Sequence, residues 1–141
     1  MSAWRREAIA LLPEFRSKIA SARSPMALWI ELGLKFTVAV QADDASLVRR
    51  MLKYAEYCYS DRSGSLPNDT STAVAYAFYE HLPTYKEFWP RLGTWFSPDE
   101  FARLLPVFAY HLAPEDMAPL KAAYLAGRPV HPRKLSGRAS R

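Results

Sequence analysis

The sequence predicts an all-α fold, a single-domain bundle of about five to seven helices with a basic C-terminal tail, and three observations predict it. Helix-start signals recur along the chain. Ser24-Pro25, Asp43-Asp44, Asn68-Asp69 and Ser97-Pro98-Asp99-Glu100 each set a side-chain acceptor, twice with a first-turn proline, ahead of an apolar run. Between Ala45 and Tyr59, the residues Leu47, Val48, Met51, Leu52, Ala55 and Cys58 recur at helical spacing, while Arg49, Arg50, Lys53 and Glu56 take the other face. Strand patterning is confined to Phe36–Val40 (FTVAV), which has no turn-linked partner of similar character. No fixed-period repeat points to a solenoid.

In chain order, residues 3–22 read as helix with a break at Pro13, where the ring removes an N–H and crowds the preceding turn. Ser24 caps a helix that starts on Pro25 and runs to about Val40; Asp43 and Asp44 open the next, from Ala45 to Tyr59. Residues 60–68 (SDRSGSLPN) have loop composition. Asn68-Asp69 then caps a helix to about Leu82, stopped by Pro83. Its stretch Ala73–Tyr79 carries no polar face, which predicts a place in the centre of the bundle. Tyr85–Trp89 reads as a short helix or turn, and KEFWPRLGTWF as a loop more than a regular helix. Ser97 and Glu100 form a capping box for a helix to about Leu112 that Pro106 kinks. Pro114-Glu115-Asp116 opens the last helix, with Gly127 as its C-cap.

A chain of 141 residues that is 50% hydrophobic and 13% aromatic can bury a core as one domain, assigned to residues 1–126. The formal charge of +5 is a property of residues 127–141, where Arg128, Arg133, Lys134, Arg138 and Arg141 face no acidic residue; the other Lys and Arg balance the Asp and Glu. The tail composition predicts disorder and a weak, salt-sensitive attraction to polyanions, so weak nucleic-acid binding through the tail is a further alternative function, with no basic folded face to carry it. The single cysteine, Cys58, excludes an internal disulfide framework and a Cys-rich zinc site. The apolar run Ala8–Leu12 is too short for a signal peptide, and Glu31 and Lys35 interrupt the one from Met26 to Val40, so a soluble cytoplasmic protein with no membrane partner is expected.

Candidate chemistry is sparse. The pairs Asp43/Asp44, Asp99/Glu100 and Glu115/Asp116 each fall in a first helical turn, where carboxylates meet the helix dipole and unpaired amides. Glu80, His81 and His111, with Glu56 as a fourth candidate, would bind a metal or pass a proton if the ends of their helices converged. Adjacent Glu-His lacks the i, i+4 spacing of a metal-binding helix, however, and a structural Glu80 is the competing reading. Cys58 stands among Tyr54, Tyr57 and Tyr59 with no nearby histidine and reads as a buried thiol. No nucleophile elbow, phosphate-binding loop or dinucleotide fingerprint is present, so no cofactor and no catalytic residue is predicted. The dense set Tyr85, Lys86, Phe88, Trp89, Arg91, Trp95 and Phe96 either roofs the core or forms a surface for another protein, since Trp, Tyr and Arg dominate binding hot spots. A non-enzymatic protein-binding module is the leading expectation; an enzyme or small-molecule binder using Glu80, His81 and His111 is the alternative.

Leu28-Trp29-Ile30-Glu31-Leu32, Tyr54-Ala55-Glu56-Tyr57-Cys58, Thr72-Ala73-Val74 leading to Phe78-Tyr79-Glu80-His81-Leu82, and then Trp95 and Phe101, resemble a family of small bacterial proteins known only as a domain of unknown function. The resemblance covers about residues 14–112, with FYEHL as its best motif. It implies a small bacterial helical domain and, by analogy with the toxin systems near which some such proteins sit, an immunity or antitoxin role.

Overall fold

The computed structural model describes residues 1–60 and 67–130, with backbone alone for 67–69. Among these residues there are eight α-helices and no strand: α1 (Ala3–Leu11), α2 (Arg16–Ser21), α3 (Pro25–Gln41), α4 (Ala45–Tyr59), α5 (Pro67–Ala77), α6 (Trp89–Trp95), α7 (Pro98–Phe108) and α8 (Met117–Ala126). Short 3₁₀ turns join several of them, at Pro13–Phe15, Tyr79–Thr84, Lys86–Phe88, Ala109–His111 and Pro114–Asp116.

Capping chemistry fixes the starts. The Ser24 hydroxyl accepts from the Ala27 amide at 3.1 Å, and Asp44 Oδ1 from the Leu47 amide at 3.2 Å. At α7 the Ser97 hydroxyl accepts from the Glu100 amide at 3.2 Å, while Glu100 Oε1 accepts from the Ser97 amide at 2.9 Å, a complete capping box. The tight α3–α4 corner holds Asp43 at φ 56°, a left-handed backbone that aspartate tolerates better than most residues.

FTVAV is the last part of α3, as the helix expected to about Val40 requires, with Phe36, Ala39 and Val40 buried. Four expectations change. The helix expected over 68–82 leaves α geometry at Phe78 (φ −128°, ψ −69°) and continues as the 3₁₀ turn Tyr79–Thr84. Pro83 accounts for the change, because its ring would collide with the carbonyl of Tyr79 four residues earlier in an α-helix. α5 also reaches solvent: Ala73 and Val74 are buried, but Tyr76 is 54% exposed. The central element is α3, which packs against both α4 and α5. The expected loop KEFWPRLGTWF is mostly helix, the 3₁₀ turn Lys86–Phe88 running into α6. The loop expected over 60–68 ends earlier: α5 already starts at Pro67, so Asn68-Asp69 lies within its first turn and not at its N-cap. Residues 61–66 lie outside the described residues, as does 131–141 of the tail.

An aromatic column holds the centre. Trp29 of α3 stacks on Tyr54 of α4 (centroids 5.4 Å apart, planes at 15°) and on Phe78 after α5 (4.9 Å, 29°). Phe36, one face further along α3, meets Phe78 and Trp95 edge-on. The Tyr54 hydroxyl donates to the Trp4 carbonyl at 3.0 Å, which ties α1 to α4. Arg50 adds a fork on Glu14 at 2.8 Å to each oxygen and a third bond to the Leu11 carbonyl at 3.0 Å; the guanidinium holds the Glu14 carboxyl below its usual range.

At the other end, α6 and α8 touch through backbone. A Cβ on Gly93 would stand 2.4 Å from the Tyr124 carbonyl oxygen, and one on Gly127 would stand 2.4 Å from that of Pro90, so both contacts require glycine. Gly127 does end α8, but in right-handed geometry (φ −85°); its value is space.

Candidate functional site

The aromatic segment divides between core and two separate faces. Phe88, Trp89 and Phe96 are buried, and the Trp89 indole N–H donates to the Pro83 carbonyl at 2.8 Å. They roof the core, and Phe88 also lines a surface groove. Tyr85 is 41% exposed, and Lys86 reaches over the Trp89 ring toward Asp116 at 3.8 Å. Arg91 pairs with Asp43 at 3.1 Å, and Trp95 is half-buried. Tyr85 lines one groove, while Arg91 and Trp95 line another.

The polar residues converge in part. His111 Nε2 lies 3.1 Å from Glu80 Oε1, and the His81 and His111 rings stack at 5.0 Å with planes 15° apart. The turn at Tyr79–Thr84 turns Glu80 inward, to 6% exposure, and leaves His81 on the surface. Glu56 is elsewhere, exposed on α4. A buried carboxylate clasping a half-exposed imidazole fixes that ring and satisfies the carboxylate. The three groups are not disposed around one point: among the described residues no set of three His, Cys, Asp or Glu is arranged to hold a metal ion. Cys58 is fully buried, and burial pushes its thiol up to about 11, which suppresses the thiolate that nucleophilic chemistry needs.

Of the tail cations only Arg128 falls among the described residues. Its guanidinium donates to the carbonyls of Gly93 at 2.9 Å and Phe96 at 3.1 Å, the open C-terminal end of α6. Arg128 therefore closes the fold where free polyanion contact was expected of it. Arg133, Lys134, Arg138 and Arg141 lie outside the described residues.

Sequence reasoning missed the outer side of α3. Ile30, Leu34 and Val38 recur every four residues and are 56%, 66% and 63% exposed. Beside Ile30 and Leu34 runs an apolar groove of about 390 Å³ floored by Phe36, Ala77 and Phe78 and edged by Tyr76, Tyr85 and His81. No Asp, Glu, Lys or Arg lines it. The signal was in the sequence: α3 is apolar on nearly every side, and a helix of that kind is either enclosed or covered by something else. A second groove, of about 660 Å³, lies between α4 and α6, with both apolar and charged walls. No helix among the described residues is long and apolar enough to cross a membrane.

The chain matches no protein-family model, no curated protein and no solved structure. Geometry alone therefore carries the functional reading.

Proposed function

We propose that this chain is a non-enzymatic protein-binding module, of which an immunity-type inhibitor is one form, and that its contact face is the outer side of α3 with the apolar groove beside it. The observation that carries the reading is the stripe Ile30, Leu34 and Val38, each more than half exposed on successive turns of one helix. Contiguous exposed apolar surface with polar surroundings marks interaction sites in water-soluble folds, because leaving it wet costs about 25 cal/mol per Å². The uncharged groove selects the occupant: a segment of another protein that presents apolar side chains, as a helix does when it lays one face into a groove. Tyr76 and Tyr85 at its edges are the rigid anchors such contacts favour. The buried Glu80–His111 contact and the protonated Cys58 thiol support architecture over catalysis.

The test compares the wild-type chain with Leu34→Glu/Val38→Glu as bait for photo-crosslinking in the source cell, with light scattering on the purified chain. A partner crosslinked at α3 by the wild type and lost in the double variant, from a chain that is monomeric alone, supports the reading. Crosslinks unchanged by the double substitution would remove α3 as the contact face, and a wild-type dimer that the variant dissociates would replace the foreign partner with a second copy.

A further inference from the structure

The apolar groove beside α3 exists because the furrow between α3 and α5 lacks large side chains of its own. A Cβ on Gly33 would meet only the Ala77 oxygen, at 3.5 Å, and Ala77 carries a single methyl. What surrounds the gap is aromatic. Tyr76 and Tyr85 stand at its edge, 54% and 41% exposed, and His81 beside them is exposed and stacked on His111. Beneath them Phe36, Phe78 and Phe88 close the floor, with Phe36 edge-on to both others. Met26 adds a thioether, a group that packs well against ring edges.

Charge, size and wall chemistry together select the occupant. No Asp, Glu, Lys or Arg lines the groove, so a charged group entering it would shed water without gaining a counter-ion. An apolar cavity of about 150 Å³ takes up benzene, and this groove is more than twice that size, about 390 Å³. One aliphatic side chain leaves most of it unfilled, whereas a bicyclic ring occupies it. Ring against ring gains about two- to tenfold in affinity beyond buried area, and a phenol oxygen at the edge can accept from a ring N–H. Resting on the reading of α3 as the contact face, we infer that the partner seats a tryptophan indole in this groove. The ring lies between Tyr76 and Tyr85 over Phe78, and the rest of its helix runs along Ile30, Leu34 and Val38.

Four probes of similar size test the selection: 3-(indol-3-yl)propionamide, the corresponding propionate, tryptamine and 3-cyclohexylpropionamide. Each is titrated into the full-length chain labelled with ¹³C at the methionine methyls. Met26 is the local reporter, assigned by its loss in Met26→Leu, because Met51 is buried and Met1 and Met117 do not line the groove. The expected result is a saturable Met26 shift, with the indole amide bound about fivefold more tightly than either charged probe or the cyclohexyl amide. Tyr76→Ala/Tyr85→Ala, an exposed pair whose melting curve should match the wild type, should weaken the indole amide about tenfold. A photoreactive phenylalanine replacing Tyr85 should join the partner within one helical turn of a tryptophan, and the indole amide should compete with that crosslink. Equal or tighter binding of the cyclohexyl amide, tightest binding of a charged probe, no Met26 shift, or a joined segment without tryptophan would each overturn the indole anchor. All four leave standing any crosslink that Leu34→Glu/Val38→Glu abolishes; loss of that dependence would overturn the α3 reading and the anchor together.

Discussion

Replacing Gly93 by alanine tests the join between α6 and α8. The new methyl would stand 2.4 Å from the Tyr124 oxygen, 2.5 Å from the Gly127 carbonyl carbon and 2.6 Å from the Arg128 nitrogen. All three are backbone atoms, so no rotamer change relieves them, and α8 must retreat by about 1 Å to restore normal contact near 3.5 Å. That retreat stretches the bond from the Tyr124 hydroxyl to the Phe96 carbonyl (2.9 Å) and the two from Arg128, and it parts the Phe101–Tyr124 stack at 3.8 Å. Overpacking costs about 1–3 kcal/mol and each weakened bond up to about 1, while alanine returns about 0.5–1 kcal/mol in helix propensity. A net loss of about 2–3 kcal/mol follows, or a melting point lower by about 5–10 °C for a chain of this size. Gly33 supplies the control. In mid-α3 its added methyl meets only the Ala77 oxygen at 3.5 Å, so Gly33→Ala should stabilise by up to about 1 kcal/mol. Urea unfolding followed by far-UV circular dichroism reads both. If the two variants moved in the same direction by similar amounts, the argument from backbone contact would fail.

Two further outcomes follow from buried groups. Burial raises the Cys58 thiol from 9.0 to about 11, so the folded chain keeps a proton that the unfolded chain releases. Stability is therefore full below pH 9 and lost as pH rises toward 11; at pH 10.5 the wild type should lose about 1–2 kcal/mol more than Cys58→Ala does, by urea midpoints at pH 8 and 10.5. Rapid labelling of the native thiol at pH 8 by a disulfide reagent would contradict its burial. His111→Ala deprives the buried Glu80 carboxylate of its imidazole and should cost about 1–3 kcal/mol in a thermal melt, while His81→Ala loses only a ring contact, worth about 0.5. Equal losses would assign the stabilisation to the ring stack.

What the sequence made legible is what short-range chemistry controls. The limits of α4 follow from Asp44 and its apolar stripe, and the start of α7 from a capping box complete within four residues. What it concealed depends on long-range packing. Nothing local distinguishes the buried Phe88 and Phe96 from the half-exposed Trp95, since each side is set by α3, α7 and α8 approaching from elsewhere. The meeting of Glu80 with His111, 31 positions apart, was conceivable from helix ends but fixed only by the turn that Pro83 imposes. The α3 stripe escaped notice because apolar residues surround that helix, and periodicity cannot say which of them lack a neighbour. Arg128 was grouped with a tail by composition, although its side chain completes α6.

The column of Tyr54, Trp29 and Phe78 also has an optical consequence. Three chromophores from distant parts of the chain are locked at fixed angles within a few ångströms, an arrangement that couples their transitions and gives strong near-ultraviolet ellipticity. That signal depends on registry between helices and not on helix content. A collapsed state that retained its coils but lost their mutual alignment would go dark at 280–295 nm while its amide bands persisted, so the native chain carries its own gauge of tertiary order.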